Sequence, residues 1–498
     1  MRNFCVAAVL AMTTAIPAQA DITAAQVWGD WKTYMEGFGY QVQAREAQAG
    51  NVLTVSDVTM SSQMPDDGGA VSVAMDSMTL TEQSDGTVAI TLPASMPIAA
   101  AIKGEDGKPM DLSLDYTQTG MKMVASGAPG NITYVYSADE LALVARKIVL
   151  GGAALDLRTA RMALTGLAGE TRRTTGTTTT STGQTLTAAT VGWDLDMTNP
   201  EDQTPVKVAG TMTGAAFNNT AVLPIGVDFQ DLAAMMASGF AMDGALTHQG
   251  GSSDISFVTD GSASGMKTSS TGGDLTFRMD KAAMAYQGNT TGAKYEILGG
   301  PVQLPVIVDI AKAGFNLLVP VEKSDTPSDF ALGLTLADVV VSDIVWAMLD
   351  PTGQLPRDPA TLALDLTGKA RITADFSDPA QIVPDAAPGE IHALTLRDLT
   401  LRLAGADLTG AGDFTFDNTD LTTVPGMPRP DGALDLKLVG GNALLDRLIA
   451  MGLVPEDQAM GMRMMMGVFG KMDGADTLTS KIEFTPDGQI VANGQRIK

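Results

Sequence analysis

The feature that most constrains the fold of this chain is a recurring alternation of apolar and polar residues. Leu362, Leu364 and Leu366 alternate with small or polar residues. The same period of two recurs at Val71, Val73 and Met75, at Val88, Ile90 and Leu92, at Val191, Trp193, Leu195 and Met197, at Leu399, Leu401 and Leu403, and at Leu434, Leu436 and Leu438. Successive side chains of a strand point to opposite faces. This pattern is therefore typical of antiparallel strands with one covered and one wet face.

Aspartate and glycine mark turns between these segments, as in Ser84-Asp85-Gly86 and Pro486-Asp487-Gly488. The segments amount to on the order of twenty strands against about five helices. We therefore predict an α+β protein, mainly antiparallel β, with a long twisted sheet or sheets and a few short helices. Among the helices are an N-terminal one and a Met-rich C-terminal pair.

The N-terminal helix has the clearest local signals. Thr23 and Gln26 match a capping box, and Gly37 and Gly39 are expected to end the helix. Its predicted apolar face comprises Val27, Trp28, Trp31, Tyr34, Met35 and Phe38. Because this helix holds two of the four tryptophans, we expect it to pack firmly against the sheet.

Four shorter helices are predicted further along the chain. One starts near Asp228, with Leu232, Met235 and Met236 facing inward. Another runs from about Ser342, its cap, to Leu349. The C-terminal pair consists of a helix capped by Asn442 and a helix that begins at Pro455.

The first twenty residues match a secretory signal peptide. Arg2 is the positive start, an apolar run follows, and Ala18-Gln19-Ala20 fits the cleavage pattern after Pro17. The alternative, a membrane anchor, is disfavoured because the run is shorter than the roughly 20 residues that span a bilayer. Residues 1–20 are thus predicted to be removed after export to the periplasm. The mature chain, starting at Asp21, is not expected to be an integral membrane protein.

The mature segment, residues 21–498, is predicted to be a single elongated, mainly-β domain. The threonine-rich segment at residues 171–190 is a candidate internal division. It fits a flexible loop or a linker, but threonine also suits strands, so a long hairpin arm is an alternative.

The charge balance argues against nucleic-acid partners. The chain has 57 Asp and Glu against 32 Lys and Arg, a formal net charge of −25. An acidic surface repels phosphate backbones. The single cysteine, Cys5, lies in the predicted signal peptide and is lost with it.

Motifs for catalysis are missing or isolated. Ser264 and Lys267 match S-x-x-K, but the strings that accompany it in known hydrolases are absent. His248 is expected in a turn and His392 in a strand, and neither has the spacing of a zinc site. We therefore predict no catalytic residues, no metal site and no cofactor, and a protein that is not an enzyme.

Carboxylates are frequent without forming a recognisable site. Asp194 and Asp196 share one face of a predicted strand and are interpreted as a solvated face. The oxygen-rich string from Asp417 to Asp420 does not match a calcium loop, so a turn is expected there.

Methionine is the most unusual component of the chain. There are 29, and six lie at Met451, Met460, Met462, Met464, Met465 and Met466. Methionine fills irregular gaps, which favours buried helix core. Contact with an apolar ligand or lipid is the second interpretation, and Cu(I) binding by thioethers is the third. The candidate ligand-binding residues are Met460, Met464, Met465 and Phe469.

The two ends of the mature chain carry a family resemblance. Residues 21–25 with Trp28 to Tyr40, and residues 452–455 through 491–495, resemble domain-of-unknown-function family 2125, a family of exported alphaproteobacterial proteins. The resemblance implies no activity and no site residues. The strand pattern and the terminal Ala-Asn-Gly-Gln are also loosely similar to AsmA-like envelope proteins, whose open β-grooves shield lipid.

These observations favour a non-enzymatic envelope protein that handles a lipid or another hydrophobic ligand. A large sheet with few helices must find another partner for its apolar face. A structural or interaction scaffold with a closed core is the alternative, with a carboxylate-based glycosidase in third place. Expected partners are lipid or an envelope protein.

Overall fold

The computed structural model describes residues 22–63, 68–103, 108–199, 203–228, 231–259, 262–299, 302–374 and 388–497. The predicted signal peptide, residues 1–20, lies outside the described residues. The helices of the described part are α1 (Ala24–Gly37), α2 (Leu232–Ala237), α3 (Asp343–Leu349), α4 (Gly441–Ala450) and α5 (Glu456–Phe469).

The strands of the first half follow one another closely. They are β1 (Gln41–Ala49), β2 (Val52–Gln63), β3 (Gly69–Glu82), β4 (Val88–Thr91), β5 (Ser95–Lys103), β6 (Pro109–Thr119), β7 (Lys122–Ala128), β8 (Asn131–Leu150), β9 (Ala153–Ala154), β10 (Asp156–Thr175), β11 (Thr179–Thr198), β12 (Pro205–Pro224), β13 (Ala241–His248) and β14 (Gly251–Thr259).

The second half continues in the same way. Its strands are β15 (Ser262–Ser270), β16 (Gly272–Asp280), β17 (Ala283–Gly299), β18 (Val302–Pro320), β19 (Ser328–Val341), β20 (Ala360–Ile372), β21 (Gly389–Leu403), β22 (Ala406–Asp417), β23 (Arg429–Val439), β24 (Lys471–Met472), β25 (Thr477–Phe484), β26 (Ile490–Ala492) and β27 (Gln495–Arg496).

All these strands belong to one antiparallel sheet of 27 strands, which confirms the predicted mainly-β class. At two places a long strand pairs along one edge with two shorter strands, so the sheet branches. One half of β3 pairs with β4 and the other with β5, and the two branches rejoin at β8 through β7 and β6. Likewise β12 pairs with β13 and β14, and the branches rejoin at β17. From β17 to β23 each strand pairs with the next along the chain.

A line of irregular positions crosses the longer strands. Asp57, Gly166 and Gly214 have left-handed backbone, with φ of 52°, 59° and 56°. Beside Asp57 the apolar residues are three apart instead of two, and Val55 and Val58 both enter the same core. The left-handed residue reverses the alternation, so both halves of the strand keep their apolar side chains on one face of the sheet.

A closed core exists where α1 lies on the sheet. The Thr23 capping box forms as predicted, and Trp28 is buried and donates from Nε1 to Glu46 Oε1 at 2.7 Å. Beneath the helix lie side chains from β2, β3, β4, β7 and β8. They are Leu53, Val55, Val58, Met75, Met78, Leu80, Val88, Ile90, Ala125, Ile132 and Tyr134.

The predictions about three of the short helices are wrong in part. The N-cap of α2 is Asp231, and Leu232 is exposed to solvent instead of facing the core. Ser342 is the N-cap residue of α3 as predicted, but its Oγ accepts from the Ile307 N–H at 3.1 Å and makes no hydrogen bond to the helix. The cap position of α4 is Gly440, not Asn442.

The cap of α4 comes from far along the chain. The Asp476 carboxylate accepts from the backbone N–H groups of Asn442 and Ala443 at 3.0 and 2.9 Å. Burial raises the pKa of this carboxyl, but these hydrogen bonds outweigh it and the pKa lies below its usual value.

The threonine-rich segment at residues 171–190 is paired strand. It belongs to β10 and β11, whose closing pair is Thr175 with Thr180. The hairpin alternative is the one that the structure shows.

Candidate functional site

The apolar face of the sheet continues far beyond α1. From β17 to β25, leucine and aromatic side chains stand opposite one another in register and form rows across the strands. One row is Tyr286, Leu317, Leu332, Leu366 and Leu396. A second is Phe315, Leu334, Leu364 and Leu399. A third is Leu336, Leu362, Leu401, Leu408, Leu438 and Leu478.

The opposite face of the same strands is charged. Residues that alternate with the rows include Asp365, Arg397, Arg402, Lys437 and Lys481. Many of them form ion pairs across strands, such as Arg397 Nη2 with Asp365 Oδ1 at 3.0 Å. These ion pairs mark the opposite face as the polar, solvated face of the sheet. Asp194 and Asp196 lie on that face too, and Asp196 pairs with Arg158 and Lys207.

Aromatic rings lie flat over glycines on the apolar face. In each case the ring and the glycine are register partners on adjacent strands, and a Cβ at the glycine would collide with the ring. The pairs are Tyr136 over Gly169, Trp193 over Gly210, Phe277 over Gly244, Phe315 over Gly288 and Phe330 over Gly368. Glycine gives each ring room to lie along the sheet, so the rings protrude little from the apolar face.

The rows are partly open to solvent, although Leu478 at their far end is buried. Leu334 is 41% exposed, and Phe315, Leu332, Leu401 and Leu403 are also among the exposed large hydrophobic residues. Buried clusters lie under α1, where Leu80 is 0% exposed, and around Ala138, Leu167, Ala188 and Ala215. The apolar face is thus covered over these first strands and more open from β17 onward in the described part. We call the bare rows from β17 to β25 the open face.

The Met-rich helix stands at the far end of the open face. Met460, Met464 and Met465 are 69%, 67% and 58% exposed, and only Ala459 of α5 is buried. The interpretation of these methionines as buried core is therefore wrong. Phe469 is half-buried, and its carbonyl oxygen accepts from Ser480 Oγ at 2.7 Å and Asn493 Nδ2 at 2.8 Å.

The α4–α5 pair is held to the sheet at one edge of the rows. Leu445 of α4 is buried, and Gly441 lies against the Leu438 side chain. An ion pair between Arg463 and Asp446 ties the two helices together. The exposed methionines consequently extend the apolar surface beyond Leu438 and Leu478, although sequence periodicity alone placed them in a core.

The isolated catalytic motifs do not assemble. Ser264 and Lys267 lie three residues apart in β15, so their side chains point to opposite faces of the sheet. His248 is the last residue of β13 and not a turn residue, whereas His392 is in β21 as predicted. Among the described residues, no three His, Cys, Asp or Glu side chains gather as metal ligands would.

The oxygen-rich string after β22 forms a turn. Asp417 Oδ1 accepts from the Thr419 N–H at 3.0 Å, and Asp420 Oδ1 accepts from the N–H groups of Thr422 and Thr423 at 3.0 Å each. Arg429 pairs with both carboxylates. The hydrogen bonds from Thr423 and its neighbours hold the pKa of Asp420 far below its usual value.

Comparison with known proteins identifies the family. A family model described as "Uncharacterized protein conserved in bacteria (DUF2125)" matches residues 239–493, just over half of the chain. The chain belongs to this family. The match to domain-of-unknown-function family 2125 runs from β13 to β26 and includes the open face and the α4–α5 pair. No curated protein and no solved structure matches the chain.

Two further observations complete the description of the site. No helix in the described residues is long and apolar enough to cross a membrane. One polar feature of the apolar face escaped the sequence analysis, because Arg173 lies inside the threonine-rich segment, outside the family match. Its side chain is 7% exposed beneath α1.

Proposed function

We propose that this protein binds lipid acyl chains on the open face. The observation that carries the proposal is the set of apolar rows that spans eight strands, with exposed leucine and aromatic side chains on β17, β18, β19 and β21. An exposed apolar surface of this extent is rare on a protein without a partner for it. The role needs no covalent chemistry, so the protein acts as a binder or carrier and not as an enzyme.

The dimensions and chemistry suit acyl chains. Strands are about 4.8 Å apart, so the seven intervals from β17 to β25 span about 34 Å. That exceeds the roughly 15 Å that one leaflet of chains occupies in a bilayer. The backbone groups of these strands are already paired within the sheet, so an added protein strand has nothing to bond there. Flat rings and leucines offer only dispersion contacts, which flexible chains can follow.

The exposed methionines of α5 extend this surface. Met460, Met464 and Met465 are flexible and polarisable, and such side chains adapt to ligands of varied shape. We propose that Phe469 and these methionines contact the acyl chain that enters or leaves the open face.

The role as a lipid-handling envelope protein also assumes export, with cleavage before Asp21. N-terminal sequencing of the protein purified from its own host should begin at Asp21, and a retained Met1 would contradict export by this route.

The binding test uses paired substitutions on two faces of the same strands. Leu334 and Leu364 are register partners on the open face, and Thr335 and Ala363 are register partners on the charged face. Leu334→Asp/Leu364→Asp should bind radiolabelled oleate and dioleoyl phosphatidylethanolamine at least about tenfold more weakly than the wild type. Binding would bury two carboxylates against the acyl chain and remove their hydration. Thr335→Asp/Ala363→Asp adds the same charge and should bind like the wild type.

The proposal has a clear point of failure. Wild-type protein that carries no extracted lipid and binds neither probe would overturn it. Equal loss of binding in both double variants would show that charge or stability matters and not the open face.

A further inference from the structure

The sealed end of the sheet contains a cavity that the lipid-binding proposal does not yet use. It measures about 530 Å³ and lies where α1 overhangs the ends of β8, β10, β11 and β12. Tyr34 of α1 and Phe38, directly after the helix, form one wall. Ile132 of β8, Leu223 of β12 and the following Ile225 contribute apolar surface. The cavity is therefore a mainly apolar recess at the end of the same apolar face.

One charged side chain is buried in this recess. Arg173 Nη2 donates to the carbonyl oxygen and to Oδ1 of Asp30 at 2.7 and 2.9 Å. The guanidinium carbon lies 4.3 Å from the ring centroid of Tyr34, and Tyr134 Oη donates to Asp30 Oδ2 at 2.7 Å. The positive charge of Arg173 is thus already balanced by Asp30 and stacked on a ring.

A donor of this guanidinium is left over. Arg173 Nε is buried and has no hydrogen-bond partner among the described residues. The neighbouring strands β11 and β12 each carry another buried polar atom without a hydrogen-bond partner, Thr182 Oγ1 and Asn219 Oδ1. Thr182 is the register partner of Arg173, and Asn219 is the partner of Gln184, two residues further along β11. Buried polar groups are normally satisfied, and of these three side chains Arg173 is the one that lines the recess, so its Nε–H marks the place of a ligand's polar group.

The balance of charge selects the kind of polar group. Because Asp30 neutralises Arg173, and Glu36 also lines the recess, a full negative charge gains little there. An uncharged acceptor such as an ester carbonyl suits the Arg173 Nε–H. A ligand hydroxyl suits Thr175 and Thr180, which also line the recess and can donate or accept a hydrogen bond.

We propose that the recess under α1 holds the ester and glycerol end of an acylglycerol, with its chain on the apolar face. This inference rests on the proposed function, because the chain must leave the recess toward Phe217 and Phe277, which stack in the next strands. Glycerol esters also occur in lysophospholipids, so both classes share the chemistry that the recess recognises.

The test compares ligands that share a chain and differ at its end. Dissociation constants are measured by displacement of a fluorescent fatty-acid probe with 1-oleoylglycerol, oleoyl-lysophosphatidylethanolamine, oleate and 1-octadecene. Wild-type protein should prefer 1-oleoylglycerol over 1-octadecene by at least about tenfold, the value of one hydrogen bond to a charged donor. The lysophospholipid should bind like 1-oleoylglycerol if its phosphate fits outside the recess, and more weakly if only a free glycerol is accepted.

The variant removes the donor without removing the ion pair. Arg173→Lys keeps a cation for Asp30 but lacks the Nε–H, so the preference for 1-oleoylglycerol over 1-octadecene should fall about tenfold. If the Lys variant fails to fold, the wild-type preference for 1-oleoylglycerol over 1-octadecene decides the inference. Thr185→Val, on the opposite face of β11, is the control and should keep this preference.

Two outcomes would overturn the inference while leaving lipid binding intact. One is equal affinity for 1-oleoylglycerol and 1-octadecene in the wild type. The other is tighter binding of oleate than of the ester, which would make the recess an anion site. Failure of every ligand to displace the probe, or of the probe to bind, would instead count against the open face itself.

Discussion

Truncating one leucine at each end of the apolar face should reveal which end is sealed. Leu80 is fully buried under α1, between its register partners Leu53 and Ile90. Leu80→Ala removes buried atoms and leaves a cavity, at a cost of about 3 kcal/mol in the free energy of unfolding. Leu334 is 41% exposed, so Leu334→Ala loses only part of the transfer free energy and leaves no cavity, at a cost of about 1 kcal/mol.

The measurement is equilibrium urea unfolding followed by tryptophan fluorescence and by circular dichroism, on delipidated protein. Both probes are needed because a sheet of 27 strands need not unfold in one step. Adding oleate should raise the cost of Leu334→Ala, because bound ligand stabilises the wild type more than the variant. If Leu334→Ala costs as much as Leu80→Ala in the delipidated protein, the open face is covered and the reasoning is refuted.

Other predictions concern local features of the fold. Asp476→Ala removes the cap of α4 and should cost about 1–2 kcal/mol in urea unfolding, whereas an unchanged midpoint would show that the cap is dispensable. Gly288→Ala should lower the melting temperature by forcing the Phe315 ring off the sheet, at a cost of about 1–3 kcal/mol, while Gly461→Ala on exposed α5 should raise it slightly. The pKa of Asp420 is lower in the folded state than in the unfolded state, so its hydrogen bonds stabilise the fold above the unfolded-state pKa near 4. This stability is lost as the pH falls toward the folded-state pKa, so the melting temperature of Asp420→Asn should fall less steeply with acid than that of the wild type. Equal slopes in the two proteins would contradict this. Cu(I) binding remains the third interpretation of the methionines, and a Cu(I) titration without saturable binding would exclude it.

The features that sequence predicted well are those set by neighbours in the chain. The capping box of α1 involves only Thr23 and Gln26, and the alternation of leucines depends on adjacent positions. Both could be predicted because strand and helix periodicity act over a few residues. Even the hairpin at residues 171–190 was foreseen as an alternative, since threonine favours strands.

The features that sequence missed depend on distant residues. Asn442 looked like a cap, but Asp476 supplies the carboxylate from 34 positions away. The methionines of α5 fit a core by periodicity, which cannot tell whether anything covers them. The recess under α1 needs Asp30 and Arg173, which are 143 positions apart. A clue was present in the three-residue spacing of Val55 and Val58, which marks a reversal of the strand alternation.

Contact between acyl chains and Trp193 tests the central claim most directly, because Trp193 of β11 lies on the apolar face that continues into the open face. Its ring lies over Gly210, whereas Trp28 of α1 is buried against the sheet. Oleate and its dibromo derivative, which quenches fluorescence on contact, are added to the wild type and to Trp193→Phe. The account predicts stronger quenching by the brominated chain in the wild type than in Trp193→Phe, where buried Trp28 and half-buried Trp31 and Trp346 remain. Equal quenching in both proteins, or none in either, would contradict the binding of chains on this face.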